Sequence, residues 1–308
     1  MSELSCQALA YIENAKTANT LRAYAADWQD FVAYCVEAGA DCLPAAPETI
    51  ANYLAVRADA LKPATLTRRL TAIRATHAEQ GFSTRNHASA PIVRLTLAGI
   101  KRTKGTRQTA KAPLLSSDLE RLVTADVFHG LTGLRDRALL LLGFAAALRR
   151  SELAAVRAEH LTFTADGVVL LLPRSKGDQM GRGAEIAMPY ARTPLLCPVR
   201  ALLAWMSAAH VQHGPVFQAI DQRGRLSGMA INPRTVAEIV KRYAARLGCN
   251  TAIYSGHSLR RGFATDAAAH GVELPAIMRQ TRHKSEHQAM RYVEAGRKFV
   301  DSPLNRLW

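Results

Sequence analysis

Two residue types that act on phosphate esters stand three positions apart in "SGHSLRRGFATD", residues 255–266. His257 can transfer a proton near neutral pH, and Arg260 presents a planar fork of donors that fits phosphate oxygens. If the stretch is helical, positions i and i+3 share one face, so both side chains point the same way. One such pair is weak evidence, because the spacing is common.

Another pair of charged residues lies in "ALRRSELAAVR", directly after an apolar segment that is typical of a buried helix. Glu152 follows Arg149 by three residues, an offset at which a helical carboxylate can orient a guanidinium group. Lys176 stands in "RSKGDQMGRG", a turn predicted between two strands, from which it could reach a neighbouring cleft. Taken singly, the charged pair is more typical of a solvated helix end than of a site, and Lys176 is typical of an ordinary hairpin lysine.

A histidine and a tyrosine stand nine positions apart in "TRHKSEHQAMRYVEAG". On one continuous helix His283 and Tyr292 would lie on opposite faces, since nine steps of about 100° leave half a turn. They can serve one site only if a helix break intervenes. Ser285 and Gln288 have the spacing of a capping box, which predicts such a break and a new helix after Ser285.

Composition limits the classes of protein to consider. The 308 residues are 48% hydrophobic, and this length is a prior for about two domains. Without a long apolar run or a signal-peptide pattern, we expect no membrane segment and a cytoplasmic location, with nucleoid association on DNA. Five scattered cysteines predict reduced thiols. The net charge of +15 favours a polyanionic partner such as nucleic acid.

The elements that position these residues fall into two regions. Residues 1–100 predict a helical core DNA-binding domain, in which prolines 47 and 63 open two of the helices. Residues 101–112 hold five basic residues and no acidic one, so we expect an extended basic interdomain linker that can follow a phosphate backbone.

Residues 113–308 predict a mostly helical catalytic domain with a small sheet and a C-terminal docking tail. Two strands are expected around the turn of "GVVLLLPRSKGDQMGRGAEIAMP", and helices from near Pro194 to the end. In the tail, Pro303 can open a short helix whose Leu304, Leu307 and Trp308 share one face. Docking of that face on the chain's own catalytic domain and docking on a neighbouring copy both stay open.

These clusters, in this order and with this spacing, resemble the tyrosine recombinase (phage integrase) family, most of all its Cre-like branch. The family pattern runs from an arginine in an "LRxSE"-like helix end to a hairpin lysine and H-x-x-R. A histidine or tryptophan then precedes a tyrosine by nine residues. "PAAPETIANYL" and "YSGHSLRRGFATDAAAHGVELPAIM" extend the resemblance over the whole chain. It implies a mainly α fold with a small β-sheet, divided into a helical core-binding domain and an α+β catalytic domain.

The resemblance also implies a site-specific DNA recombinase that cleaves and rejoins duplex DNA through a 3′-phosphotyrosyl intermediate. Tyr292 would attack the scissile phosphate, and Arg149 and Arg260 would clamp its non-bridging oxygens. Lys176 would protonate the departing 5′-hydroxyl. No metal or other cofactor is implied, because the phosphotyrosine keeps the bond energy for religation.

Three further residues complete the set that the resemblance implies. His257 would share the proton transfer, His283 would donate to a phosphate oxygen, and Glu152 would support the site from behind. The chain departs from the family at "TRH", where Arg282 replaces a small residue. Each clamp arginine also has an arginine neighbour, so a shift by one position stays open at both places.

Double-stranded DNA is the implied partner, bound by a homotetramer that forms from monomers in solution. The linker residues expected to contact DNA are Lys101, Arg102, Lys104, Arg107 and Lys111. A type IB topoisomerase and an inactive DNA-binding protein on the same scaffold are the alternatives. The compact N-terminal region argues against the former and the complete set of catalytic residue types against the latter. A histidine-based metal hydrolase is disfavoured, because the histidines lack a recognised ligand spacing.

Overall fold

The computed structural model describes residues 5, 7, 11–12, 15–82, 87–107, 110–175, 178 and 181–307. The chain divides into two compact units, Met1–Thr109 and Ala110–Trp308. Across the described ranges, no helix is both long and apolar enough to cross a membrane.

Helices build the first unit, as the sequence predicts. Proline opens three of them, at a position where its missing N–H removes no hydrogen bond. Phe31, Ile50, Leu54 and Leu66 are fully buried between the helices. The bounds are Ala18–Glu37 (α1), Pro47–Arg57 (α2), Pro63–Glu79 (α3) and Pro91–Lys104 (α4).

The predicted extended linker is wrong over its first residues, because α4 continues through Lys101 to Lys104. Basic side chains in the last turn of a helix are stabilised by the partial negative charge of its terminal carbonyl groups, so these residues favour the helix. Gly105, at φ 72°, follows the last helical residue. Residues 105–107 and 110–115 have neither helix nor strand.

The second unit is mostly helical and contains short strands. Its helices are Ser116–Thr124 (α5), Gly130–Ala145 (α6), Arg150–Ala154 (α7), Pro198–Ala208 (α8), Pro233–Arg246 (α9), Ser258–Ala269 (α10), Leu274–Thr281 (α11) and Glu286–Arg297 (α12). Its strands are Leu161–Phe163 (β1), Gly167–Leu172 (β2), Ala184–Pro189 (β3), Gln218–Ile220 (β4) and Leu226–Ala230 (β5).

The strands form one antiparallel sheet in the order β1-β2-β3 and a separate hairpin of β4 and β5. β2 pairs with β3 from Gly167–Pro189 to Leu172–Ala184, which confirms the two strands predicted around the glycine-rich turn. The expectation of helices alone from Pro194 onward is wrong, because the β4–β5 hairpin lies in that region. Strands this short contain too few alternating residues to be recognised in the sequence.

The core of the second unit is centred on α6. Leu139, Leu140 and Leu142 are fully buried, as is Trp205 of α8, whose indole N–H donates to the Val216 carbonyl at 2.8 Å. Each large apolar side chain buried in this way contributes about 1.5–3 kcal/mol. The C-terminal end of α6, and the turn that follows it, are therefore attached to fully buried apolar side chains.

The last three helices pack with little space between their backbones. α12 contacts α10 and α11 through a small core that contains Ala264, Ala268 and Ile277. A Cβ at Gly296 would lie 2.3 Å from the carbonyl oxygen of Thr265, so glycine is what allows α12 to approach α10 so closely. This packing determines where residues of α12 lie relative to α10.

The tail contains a short 3₁₀ helix, Pro303–Arg306, which begins at proline as predicted. Leu304 and Leu307 are 49% and 70% exposed. The predicted third member of their apolar face, Trp308, lies outside the described residues. Over its described part, the tail therefore leaves its apolar side chains largely open to solvent.

Gly262→Ala tests the close packing around α10. A Cβ at Gly262 would lie 1.8 Å from the carbonyl oxygen of Leu114, so the backbones must separate, and we expect a loss of about 1–3 kcal/mol in stability. Gly99→Ala in α4 is the control, because its Cβ has nothing within 4 Å and alanine favours a helix by about 0.5–1 kcal/mol. Calorimetry of the full chain should show a lowered transition for the first variant alone. Equal midpoints in both variants would contradict this packing.

Candidate active site

A carboxylate and two arginines meet at the turn between α6 and α7. Arg149 directly precedes α7, and its Nη1 donates to Glu152 Oε1 at 2.5 Å while its backbone N–H donates to Oε2 at 2.9 Å. Arg282 Nη2, from the end of α11, donates to the same Oε2 at 3.0 Å. The contact between Arg149 and Glu152 that their spacing predicts is therefore present, and a second guanidinium completes it.

Glu152 is buried yet remains an anion. Burial by itself would raise the pKa of its carboxyl group, but the hydrogen bonds from Arg149 and the charge of Arg282 outweigh burial, so the pKa is below its usual value. The carboxylate is thus charged at neutral pH. It offsets part of the positive charge that gathers around the turn.

A third guanidinium, that of Arg260, lies in the interior with an unused donor. The residue is 3% exposed, its Nη1 donates to the Ala147 carbonyl at 2.9 Å, and its Nη2 is buried without a hydrogen-bond partner. Burial, followed by the charges of Arg149 and Arg282, lowers the pKa of Arg260 to about 10, so it stays protonated at neutral pH. A buried donor without a partner costs about 1–3 kcal/mol. An anion placed at Nη2 would remove that cost.

Arg282 is the member of this cluster whose contribution sequence reasoning missed. It caps the C-terminus of α11 at φ 58° and ψ 40°, a left-handed conformation that favours glycine. The sequence shows an arginine in place of the family's small residue, and that departure was the available signal. Which carbonyl and carboxylate oxygens it contacts depends on residues far away in the chain.

The hydroxyl group of Thr281 holds the ring of His283 in place. Thr281 Oγ1 donates to the Ile277 carbonyl at 2.7 Å and lies 2.7 Å from His283 Nδ1. Because the hydroxyl has one proton, Nδ1 is the donor in that second contact, and Nε2 of the neutral ring is an acceptor. Burial, then the charges of Arg260 and its neighbours, lowers the pKa of His283 to about 4.

Tyr292 lies against this histidine. The two rings are stacked, with centroids 5.4 Å apart and an interplanar angle of 27°. The break that brings them together is confirmed, since α11 ends at Thr281 and α12 begins at Glu286. The predicted capping box is not formed, because the Ser285 side chain makes no capping hydrogen bond.

The neighbouring arginines occupy different positions from the clamp arginines. Arg150 is exposed, and its side chain packs over Gly256, where an added Cβ would lie 2.7 Å from the Arg150 Cβ. The Arg261 guanidinium lies 5.9 Å from the centroid of the Tyr292 ring. The assignment of Arg149 and Arg260 rather than their neighbours stays a prediction.

His257 differs from Arg260 in its exposure to solvent. It directly precedes α10 and is exposed, whereas Arg260, one turn later, is buried. The backbone N–H of His257 donates to Ser255 Oγ at 3.2 Å. The H-x-x-R spacing thus combines an imidazole at the solvent boundary with a guanidinium in the interior.

Lys176 lies outside the described residues, whereas its neighbour Asp178 is described. The pKa of Asp178 is lowered, first by the backbone N–H groups of Arg182 and Gly183 and also by the charge of Lys284. Lys284 directly follows His283 in the chain. Asp178 is therefore within electrostatic range of the turn before α12, and the role of Lys176 stays a prediction.

Two of the basic residues expected to contact DNA have partners within their own unit. Lys104 Nζ donates to Asp59 at 3.1 Å, and Lys111 Nζ donates to the Ala252 carbonyl at 2.7 Å. The remaining three lie at or near the surface: Lys101, Arg102 and Arg107. Their contact with DNA stays a prediction.

This arrangement can bind a phosphate diester and attack it. Fixed guanidinium donors can stabilise the charge that grows on the non-bridging oxygens, and the Tyr292 hydroxyl can serve as a nucleophile. Within the described part of the chain, no group of three or more histidine, cysteine, aspartate or glutamate side chains is placed to hold a metal ion.

Comparisons with known proteins point to one family. The model of the phage integrase family matches residues 114–298, and that of the phage integrase N-terminal SAM-like domain matches residues 8–80. An integrase/recombinase xerD homolog of Selenomonas ruminantium is 47% identical over 308 residues, covering 99% of this chain and 90% of that protein. Tyrosine recombinase XerD of Xanthomonas axonopodis pv. citri (strain 306) is 31% identical over 187 residues, 61% of this chain and 59% of that protein.

A solved structure supports the fold. The XerH site-specific recombinase, in a post-cleavage complex with its palindromic difH substrate, aligns with a TM-score of 0.62 at 17% identity. The alignment covers 83% of this chain and 70% of that chain. The expected Cre-like branch is not confirmed, because these relatives are Xer recombinases.

NMR titration of the histidine side chains tests the environment of His283. One imidazole should titrate near pH 4 and be missing from His283→Gln. Because the unfolded chain takes up this proton near pH 6.5, the unfolding free energy should also fall from about pH 7 to about pH 4. That part of the fall should be absent in the variant. A normal pKa near 6.5 for His283 would contradict the buried neutral ring.

Proposed function

The chain belongs to the phage integrase family and is a tyrosine recombinase, and we propose that it exchanges DNA strands at specific sites through a 3′-phosphotyrosyl intermediate. The observation that carries this proposal is the buried Arg260 Nη2 that lacks a partner, within a cluster that also contains Arg149. A scissile phosphate would supply oxygen acceptors at that point. The stacking of Tyr292 on His283 also supports the proposal, because it places the proposed nucleophile next to a second proposed site residue.

In the proposed reaction, Tyr292 Oη attacks the phosphorus and displaces the 5′-oxygen of the next nucleotide. The tyrosine proton passes to His257, and the leaving 5′-oxygen gains a proton from Lys176. One P–O bond forms to Tyr292 Oη as the P–O bond to the 5′-oxygen breaks, so the number of ester bonds to phosphorus is unchanged. Arg149 and Arg260 hold the non-bridging oxygens while negative charge increases on them. Attack by a 5′-hydroxyl then reverses the step and releases the tyrosine.

The histidines have separate parts in this proposal. His257, at the solvent boundary, exchanges protons during cleavage and religation. His283 as the neutral Nδ1–H tautomer accepts at Nε2, so the donor role that the resemblance implies requires protonation of its ring. A bound phosphate supplies the negative charge that raises the pKa of His283 towards protonation.

The finer parts of the proposal concern DNA binding and assembly. Duplex DNA is the partner, because both 1–112 and 113–308 carry more basic than acidic residues, and such surfaces bind phosphate backbones. Lys101, Arg102 and Arg107 are surface cations that can contact the backbone directly. This function is consistent with a cytoplasmic location and with nucleoid association while the protein is bound.

We further propose a homotetramer on paired DNA sites, formed from monomers by exchange of the C-terminal tail. Leu304 and Leu307 are exposed, and the second unit contains a cavity of about 440 Å³ between α5, α6 and β3. Leu141, Phe144 and Met188 contribute apolar surface to that cavity. The tail of one copy entering the cavity of the next would bury both surfaces and close a ring.

Replacing Tyr292 with phenylalanine should abolish the covalent protein–DNA adduct on a nicked suicide substrate, because the ring stays while the nucleophilic oxygen is lost. Binding of one site in a gel shift should be nearly unchanged. The cleavage assay should be run in excess EDTA, where the wild-type chain stays active, since fixed cations take the place of a metal.

Three outcomes would contradict the proposal. An adduct formed by the phenylalanine variant would mean that another residue is the nucleophile. Loss of wild-type cleavage in EDTA, restored by a divalent ion, would indicate a metal-dependent nuclease. Relaxation of supercoiled DNA without exchange between two sites would indicate a topoisomerase.

Leu304→Ser combined with Leu307→Ser tests tail exchange. Single-site binding should persist, whereas paired-site complexes and recombination should be lost, because the apolar contacts with the next copy disappear. Val272→Ser is the control, since Val272 is also an exposed apolar residue of the second unit, at 41%. Sedimentation of the protein with two-site DNA measures assembly. Intact tetramers of the double variant would rule out docking through this tail.

A further inference from the structure

Arg282 has a position and a set of contacts that the proposed reaction does not yet use. We propose that Arg282 is a positioning residue that ties the α6–α7 turn to the end of α11 and so holds Arg149 and Arg260 in the geometry that receives the phosphate. The inference rests on the proposed function, because it concerns the same phosphate site.

The guanidinium of Arg282 has no terminal donor left for a ligand. Nη1 donates to the carbonyl oxygens of Ala146 at 3.0 Å and Gln280 at 2.8 Å. Nη2 donates to the Ala147 carbonyl at 3.1 Å and to Glu152 Oε2 at 3.0 Å. Since each terminal nitrogen carries two N–H groups, all four are used. Only Nε, which is buried, lacks a partner. The two terminal nitrogens of Arg282 are therefore placed to organise the site rather than to bind phosphate.

The acceptors of Arg282 also hold the two arginines that bind phosphate in the proposed function. The Ala147 carbonyl accepts from both Arg282 and Arg260, and the Glu152 carboxylate accepts from both Arg282 and Arg149. One guanidinium thus bridges the oxygens that orient the other two. Without it, each of those oxygens has one donor fewer, and the turn is less constrained.

Local backbone preference does not explain an arginine at position 282. The residue has φ 58°, where glycine carries no steric penalty and an arginine does. Ala147, whose carbonyl it binds, also has a positive φ of 47°. The contacts of the Arg282 side chain, one of which joins these two residues, offset the cost of both backbone conformations.

Arg282→Gly tests this inference, because glycine accepts the left-handed conformation and only the side chain is lost. We expect single-site binding to stay within about twofold of wild type, while adduct formation under single-turnover conditions slows by about 10²-fold, the effect of a small misplacement of reacting groups. Arg282→Lys keeps the charge but cannot bridge four acceptors, so it should be slow as well. Arg223→Gly, in the exposed β4–β5 turn, is the control for loss of one positive charge and should cleave at the wild-type rate.

A double-mutant cycle with Glu152→Gln distinguishes positioning from a general loss of stability. If Arg282 acts through Glu152, the rate of cleavage by the double variant should fall by much less than the product of the two single-variant losses. Independent effects that multiply fully would overturn the inference. So would wild-type cleavage by Arg282→Gly, or full activity in Arg282→Lys.

Wild-type protein and Tyr292→Phe are included in the same assay to separate this inference from the proposed function. If the wild-type chain forms no adduct, the proposed function is wrong and the inference falls with it. If the wild-type chain forms the adduct and the Arg282 variants match it, the proposed function stands and only the positioning role is wrong.

Discussion

The site depends on one buried negative charge. Guanidinium groups repel one another, and a low-dielectric interior strengthens that repulsion. Glu152 accepts hydrogen bonds from Arg149 and from Arg282 and keeps its own charge because of them. Burial, followed by the charges of Arg149 and Arg282, lowers the pKa of Arg260 to about 10, and its buried Nη2 lacks a partner. The site thus holds more positive than negative charge, and a bound phosphate can supply the missing negative charge.

The turn after α6 connects these charged groups to the apolar core. Ala147 adopts a positive φ, at a cost of about 1–2 kcal/mol, and its carbonyl oxygen points at two guanidinium groups. α6 itself is held by fully buried leucines, so the turn has a rigid base. The apolar core contributes to the chemistry in this indirect way, because fixed donors stabilise a transition state without having to reorganise.

Tyr292, the nucleophile of the proposed function, packs on a different part of the unit. Tyr292 packs on the small cluster of α10, α11 and α12, whose fully buried members are Ala264, Ala268 and Ile277. Its ring contacts are with His283 and Arg261 rather than with the main core. In the proposed function, the arginines bind phosphate on a rigid frame while the tyrosine approaches from a smaller packed body. The exposed apolar tail follows directly after that body, which suits a contact with another copy.

The sequence by itself determined the order and spacing of the chemical groups, most helix positions and the break between His283 and Tyr292. These follow from interactions over a few residues: proline at helix starts, apolar periodicity and the geometry of a helical turn. The short β4–β5 hairpin was missed, and the predicted linker proved helical at its start, because local signals there are weak or conflicting. Tertiary structure alone decided that Arg282 holds Glu152 and that His283 loses its proton. The contacts responsible join residues 113 to 136 positions apart, and burial depends on everything packed around a group. No local pattern contains that information.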